Sequence, residues 1–76
     1  MSTDTPLPHY GAMTRDELAE LYMPHVQIAT ARRTLHRWIA RNTALQEALA
    51  ATGYSIRSPL LTPAQVELVL KHIGLP

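Results

Sequence analysis

Cysteine is absent from this 76-residue chain. Neither a disulfide framework nor a thiolate zinc site can stiffen it, so the packing of apolar side chains must hold it together. Such a chain suits a reducing cytoplasm, which is the compartment expected. No apolar run approaches the roughly 20 residues a helix needs to cross a bilayer. The opening stretch MSTDTPLPHYGAM has neither the basic nor the apolar region of a secretory leader. Export and membrane contact are therefore not expected. A glycine-rich phosphate loop is also missing, and Ser55 and Ser58 lack the G-x-S-x-G setting of a nucleophile elbow. The histidines His9, His25, His36 and His72 are scattered, and none stands four residues from another histidine or an acid, as a helical metal site would require. The expectation is a protein that is not an enzyme and has no catalytic residue, metal or cofactor.

One further absence is local. Asp4, Asp16, Glu17 and Glu20 precede position 21 and Glu47 and Glu67 follow position 46, so Leu21 to Gln46 contains no carboxylate side chain. Within that stretch lies IATARRTLHRWIARN, Ile28 to Asn42. At about 100° per residue, Ile28, Ala31, Leu35, Trp38 and Ile39 form one side of a helix, and Arg32, Arg33, His36, Arg37 and Arg41 cover the other. A core helix needs the apolar seam, with Trp38 expected near its centre. It does not need an unbalanced basic face, and such a face suits an anionic partner. A solvated helix surface can have the same composition, because arginine is a good helix former. The formal net charge of the whole chain is only +1, so the case for an anionic partner rests on where the charges sit.

The remaining residues outline a single domain over 13–76, preceded by a flexible lead-in at 1–12 that contains Pro6, Pro8 and Gly11. Thr14, Arg15, Asp16 and Glu17 spell a T-x-x-E capping box, with Met13 and Leu18 spaced as a hydrophobic staple. The first helix should run from there to about Tyr22, bury Leu18, Leu21 and Tyr22, and stop before Pro24. After a short turn comes the basic helix, whose first turn can begin at Ile28 or as late as Thr30. Asn42 or Thr43 can end it and cap a third helix over about Ala44 to Thr52, which Gly53 closes. The apolar and polar alternation in YSIRSPLL, Tyr54 to Leu61, suggests a small extended ribbon. A fourth helix starts at Thr62, with Pro63 in its first position and Gln65 completing a second box. It buries Val66, Val69, Leu70 and Ile73 and ends at Gly74 in a Schellman motif with Leu75 folded against Leu70. The expected class is all-α: a compact four-helix domain, helix-turn-helix-like, with a short extended ribbon before the last helix.

Two resemblances follow. The ribbon GYSIR and the helix LTPAQVELVLKHIG are similar in order and spacing to the wing and following helix of winged helix-turn-helix proteins of the MerR and excisionase kind. That likeness implies Arg57 on a wing beside the phosphate backbone. Over residues 15 to 76, the series ELAELYMP, LHRWI, TGY and LTPAQVELVLKHIGLP resembles a family of short proteins from Bacteroides-type bacteria catalogued as domain of unknown function 4248. The family implies a small bacterial protein of the regulatory gene pool and brings no functional residue with it.

The function expected is nucleic-acid binding by a small regulator, with duplex DNA as partner. Arg32, Arg33, His36, Arg37 and Arg41 of the second helix and Arg57 of the ribbon are the contact residues. The alternative is a protein-interaction module in which the same face docks an acidic protein or the chain forms a homodimer.

Overall fold

The structure is a computed structural model, and it describes residues 10–55 and 57–76. The order of elements is β1 (Met13–Thr14), α1 (Arg15–Tyr22), α2 (Ile28–Arg41), α3 (Thr43–Ala51), β2 (Leu60–Leu61) and α4 (Pro63–Ile73). The fold is all-α, four helices with one very small sheet. Residues 1–9 of the expected lead-in lie outside the described residues, as do His9 and Ile56 of the expected ribbon.

Local chemistry sets the starts of α1 and α4. Thr14 Oγ1 accepts from the Glu17 amide at 3.0 Å, and Glu17 Oε1 accepts from the Thr14 amide at 2.8 Å. At α4, Gln65 Oε1 accepts from the Thr62 amide at 2.9 Å, and Thr62 Oγ1 accepts from the Gln65 amide at 3.3 Å. Both boxes therefore form, and each satisfies backbone donors that a helix start would otherwise leave open. Gln65 is buried, and its side-chain Nε2 donates to Thr52 Oγ1 at 2.9 Å, tying the start of α4 to the end of α3. Asn42 closes α2, and its Oδ1 accepts from the Leu45 amide to cap α3, so one residue turns the chain between two helices. Gly53, at φ +82°, completes a Schellman ending to α3: its amide bonds to the Ala50 carbonyl and the Tyr54 amide to that of Leu49.

The ribbon differs from the expectation. Its strand is Leu60–Leu61 alone, and the partner is the segment just before α1: Met13 pairs with Leu61 and Thr14 with Leu60, antiparallel. Alternation turns Met13 and Leu61 into the core, while Leu60 is exposed. These two core residues are also the staple positions of the two capping boxes, so one short pairing sets both helix starts side by side. Among the described residues β2 has this one partner, and no local hairpin is formed.

The core consists of Leu18 and Ala19 from α1, Ala31 and Leu35 from α2, Leu45 and Leu49 from α3, and Val66, Val69 and Leu70 from α4, with Met13 and Leu61. Three other expectations need correction. Ile28 is 41 % exposed: α1 has eight residues against fourteen in α2, about 12 Å against about 21 Å, and cannot cover the first turn of its longer neighbour. Thr30 lies inside α2, whose cap position is Gln27 with no side-chain bond. Trp38 is half-buried at the margin of the core, edge-on to Tyr22 with ring centroids 5.7 Å apart, while Leu35 takes the centre of the seam.

The end of α4 also departs from the Schellman form. Gly74 has φ +113° with an extended ψ of 166°, and its amide makes an ordinary bond to the Leu70 carbonyl. This turns the chain outward and leaves Leu75 57 % exposed. The Gly74 carbonyl instead accepts from the Tyr22 hydroxyl, so α1 and α4 are joined at their ends as well as at their starts. Burial, and then the neighbouring Tyr10 hydroxyl, push the Tyr22 phenol up to about 12. The folded value lies above the ordinary 10, so the stability contributed by the neutral phenol is complete below about pH 10 and is lost as pH rises toward about 12. Tyr22→Phe should remove that part of the pH dependence. Thermal midpoints across this window should fall more steeply for the wild type than for the variant, and parallel curves would show that the hydroxyl contributes no alkaline sensitivity.

Candidate nucleic-acid interface

The side of α2 that faces α1 and α3 carries only Ala31, Leu35 and the partly buried Trp38 and Ile39. Small residues at 31 and 19 let α1 approach closely, and this is the most extensive helix pairing in the molecule. Everything on the far side is left to solvent: Arg32, Arg33, His36, Arg37 and Arg41 are all exposed, as the helical period requires.

The structure does not treat these five alike. Arg32 lies next to the seam, and its Nε meets Asp16 Oδ1 of α1 at 3.0 Å, with both side chains about half exposed. A pair this wet contributes little to stability. Its importance is electrostatic, because it cancels one charge of the basic face. Arg33, Arg37 and Arg41 make no ion pair among the described residues. Spaced four residues apart, they form a row along the helix about 12 Å long. His36 stands beside that row, on the side toward α3.

Arg57 is exposed in the turn before β2, and its amide donates to Ser55 Oγ at 3.2 Å. β2 pairs with β1, and among the described residues no strand pairs with the segment that carries Arg57, so the expected wing adds no support for its contact role.

The diverging axes of α2 and α3 leave a trough of about 770 Å³ that no periodicity predicts. Leu35, Ile39 and Leu49 line its floor, and Arg32, Arg33 and His36 line one side. At its wide end, Arg15 Nη1 donates to the Tyr54 hydroxyl at 3.4 Å. Arg15 is the first residue of α1 and Tyr54 follows α3, so only the folded chain brings them together. Arg37 lies outside this trough, and Arg41 borders a separate depression with Tyr22, Trp38 and His72. Arg57 is in neither lining. Among the described residues, no three His, Asp or Glu side chains gather to hold a metal ion, and no helix is long and apolar enough to cross a membrane.

The family model described as Domain of unknown function (DUF4248) matches residues 9–76, and the chain belongs to that family. No curated protein matches the chain, and no solved structure does.

Proposed function

We propose that this member of the DUF4248 family is a small nucleic-acid-binding regulator that lays α2 against duplex DNA. The observation that carries this reading is the row Arg33, Arg37 and Arg41: exposed, free of ion pairs among the described residues, and set on a rigid helix. Three guanidinium groups at helical spacing can follow a phosphate strand, and α1 packed across α2 supplies the brace that a helix-turn-helix gives its contact helix. His36 and Arg32 flank the row, with Arg32 weakened by Asp16. Arg57 is a peripheral contact in this reading.

Salt dependence tests the proposal. Each neutralised phosphate contributes about 0.9 to the slope of log K against log salt, so three contacts give a slope of about −3 and an affinity loss of about 40-fold between 50 and 200 mM. Fluorescence anisotropy of a labelled duplex titrated with the protein reads this directly, and heparin should displace the duplex. A protein that ignores duplex DNA at 50 mM salt would overturn the proposal. The rival reading, an interface with another protein, would then take its place. Val26 and Ile28, both 41 % exposed where α2 begins, are the apolar residues that favour it.

A further inference from the structure

The trough between α2 and α3 has a polarity of its own. The helices diverge from Asn42, and Gln46 Nε2 donates to the Ala40 carbonyl at 2.9 Å, bridging the two walls near that vertex. Beyond the bridge the lining is Ile39, Ala40, Leu49 and Ala50, without a charge. The alanines keep the walls low, so space remains above the leucine and isoleucine floor. Charge enters farther along: His36 stands six residues from Asn42 on α2 and Arg33 nine, about 9 Å and about 13 Å away along the helix. At the open end, Arg32 is occupied by Asp16 and Arg15 is bonded to Tyr54. Arg33 and His36 have no such partner among the described residues, so all of their donors are available to a ligand at the rim. A volume of about 770 Å³ lies within the range of small-molecule sites, which are mostly apolar with a few placed polar groups.

We propose that this trough binds an amphipathic anion: a single apolar tail lies over Leu35, Ile39 and Leu49 toward the closed end, and a carboxylate head is held by Arg33 and His36. Charge complementarity selects the sign of the head, and the distance from Asn42 to Arg33 selects a tail of medium length. The proposal does not depend on nucleic-acid binding: Arg33 belongs to both surfaces, but Arg37 and Arg41 take no part in the trough.

The test is calorimetric titration of the full chain at low ionic strength with decanoate, kept below its micelle concentration, and with decyltrimethylammonium, which has the same tail and the opposite charge. Decanoate should saturate at one molecule per chain, and the cation should bind at least about tenfold more weakly. Ala50→Trp places an indole in the apolar half from an exposed helix position and should weaken decanoate at least about tenfold. Ala40→Trp fills the same space from the opposite wall and should do likewise, with thermal melts confirming that both variants are folded. Arg33→Ala should cost about tenfold, the usual worth of a hydrogen bond to a charged group. Arg37→Glu with Arg41→Glu should leave decanoate affinity within about threefold, because any remaining effect is long-range and screened. Equal binding of anion and cation would overturn the proposal. So would indifference of decanoate to both tryptophan variants, or capture of an acidic amphipathic peptide by a trough that ignores decanoate. Loss of DNA binding in the double charge reversal with decanoate affinity intact would support the proposal, because it would show that Arg37 and Arg41 serve the duplex and not the trough.

Discussion

Leu18→Ala should be the most damaging single truncation, costing about 2–5 kcal/mol through lost burial and the cavity left behind. A chain of this length has only about 4–11 kcal/mol to lose, so the variant should melt well below the wild type, by about 4–8 °C for each kcal/mol. Leu18 has 0 % of its surface exposed and occupies the staple position above Met13, where α1 meets both α2 and the small sheet. Trp38→Ala removes a larger side chain yet should cost less, because the indole is only half-buried against the core and gives up that partial burial together with its edge contact with Tyr22, the latter worth about 0.5–1.5 kcal/mol beyond area. Denaturant unfolding followed by circular dichroism gives both values without relying on tryptophan fluorescence. A larger loss for Trp38→Ala than for Leu18→Ala would move the centre of the fold to the Tyr22 and Trp38 pair.

The contrast between these two residues shows what the sequence makes legible. Features written within a few residues were readable: the boxes at Thr14 and Thr62, the double use of Asn42 and the left-handed close at Gly53 all depend on side chains reaching their own backbone. The alternation of seam and charge along α2 was readable for the same reason, since a helix fixes its own angles. Features made by distant segments were not. Met13 pairs with Leu61 across most of the chain, and the two strands are too short to leave a period. Trp38 looks central by angle, but the short α1 and the small Ala19 and Ala31 set the closest approach nearer Leu35. In the candidate site, the five basic residues were visible as a face, but the partner of Arg32 was not, because Asp16 reaches it only through the crossing of α1 over α2. Tertiary packing thus divided one sequence feature into a paired flank and a row without ion pairs among the described residues. It also added a trough whose lining comes from three helices and the segment after α3.

Reversing charge within the row should have the largest functional effect. Arg37→Glu combined with Arg41→Glu removes two of the three arginines of the row and replaces attraction with repulsion at both positions. Releasing one counterion into 50 mM salt is worth about 15-fold in affinity, so losing two contacts should weaken duplex binding at least about 100-fold at that salt. The slope of log K against log salt should flatten from about −3 to about −1, with Arg33 alone remaining. Stability should change little, since both side chains are exposed on the face opposite Leu35 and substitutions there usually fall within about 0.5 kcal/mol. Anisotropy titrations at several salt concentrations, with a thermal melt of each protein, separate these quantities. Unaltered affinity in a folded double variant would remove α2 from the interface. An affinity loss with an unchanged slope would mean that the arginines position the helix without neutralising phosphates. In the outcome expected, the two measures fall together, because the charges that bind are also the charges that release counterions.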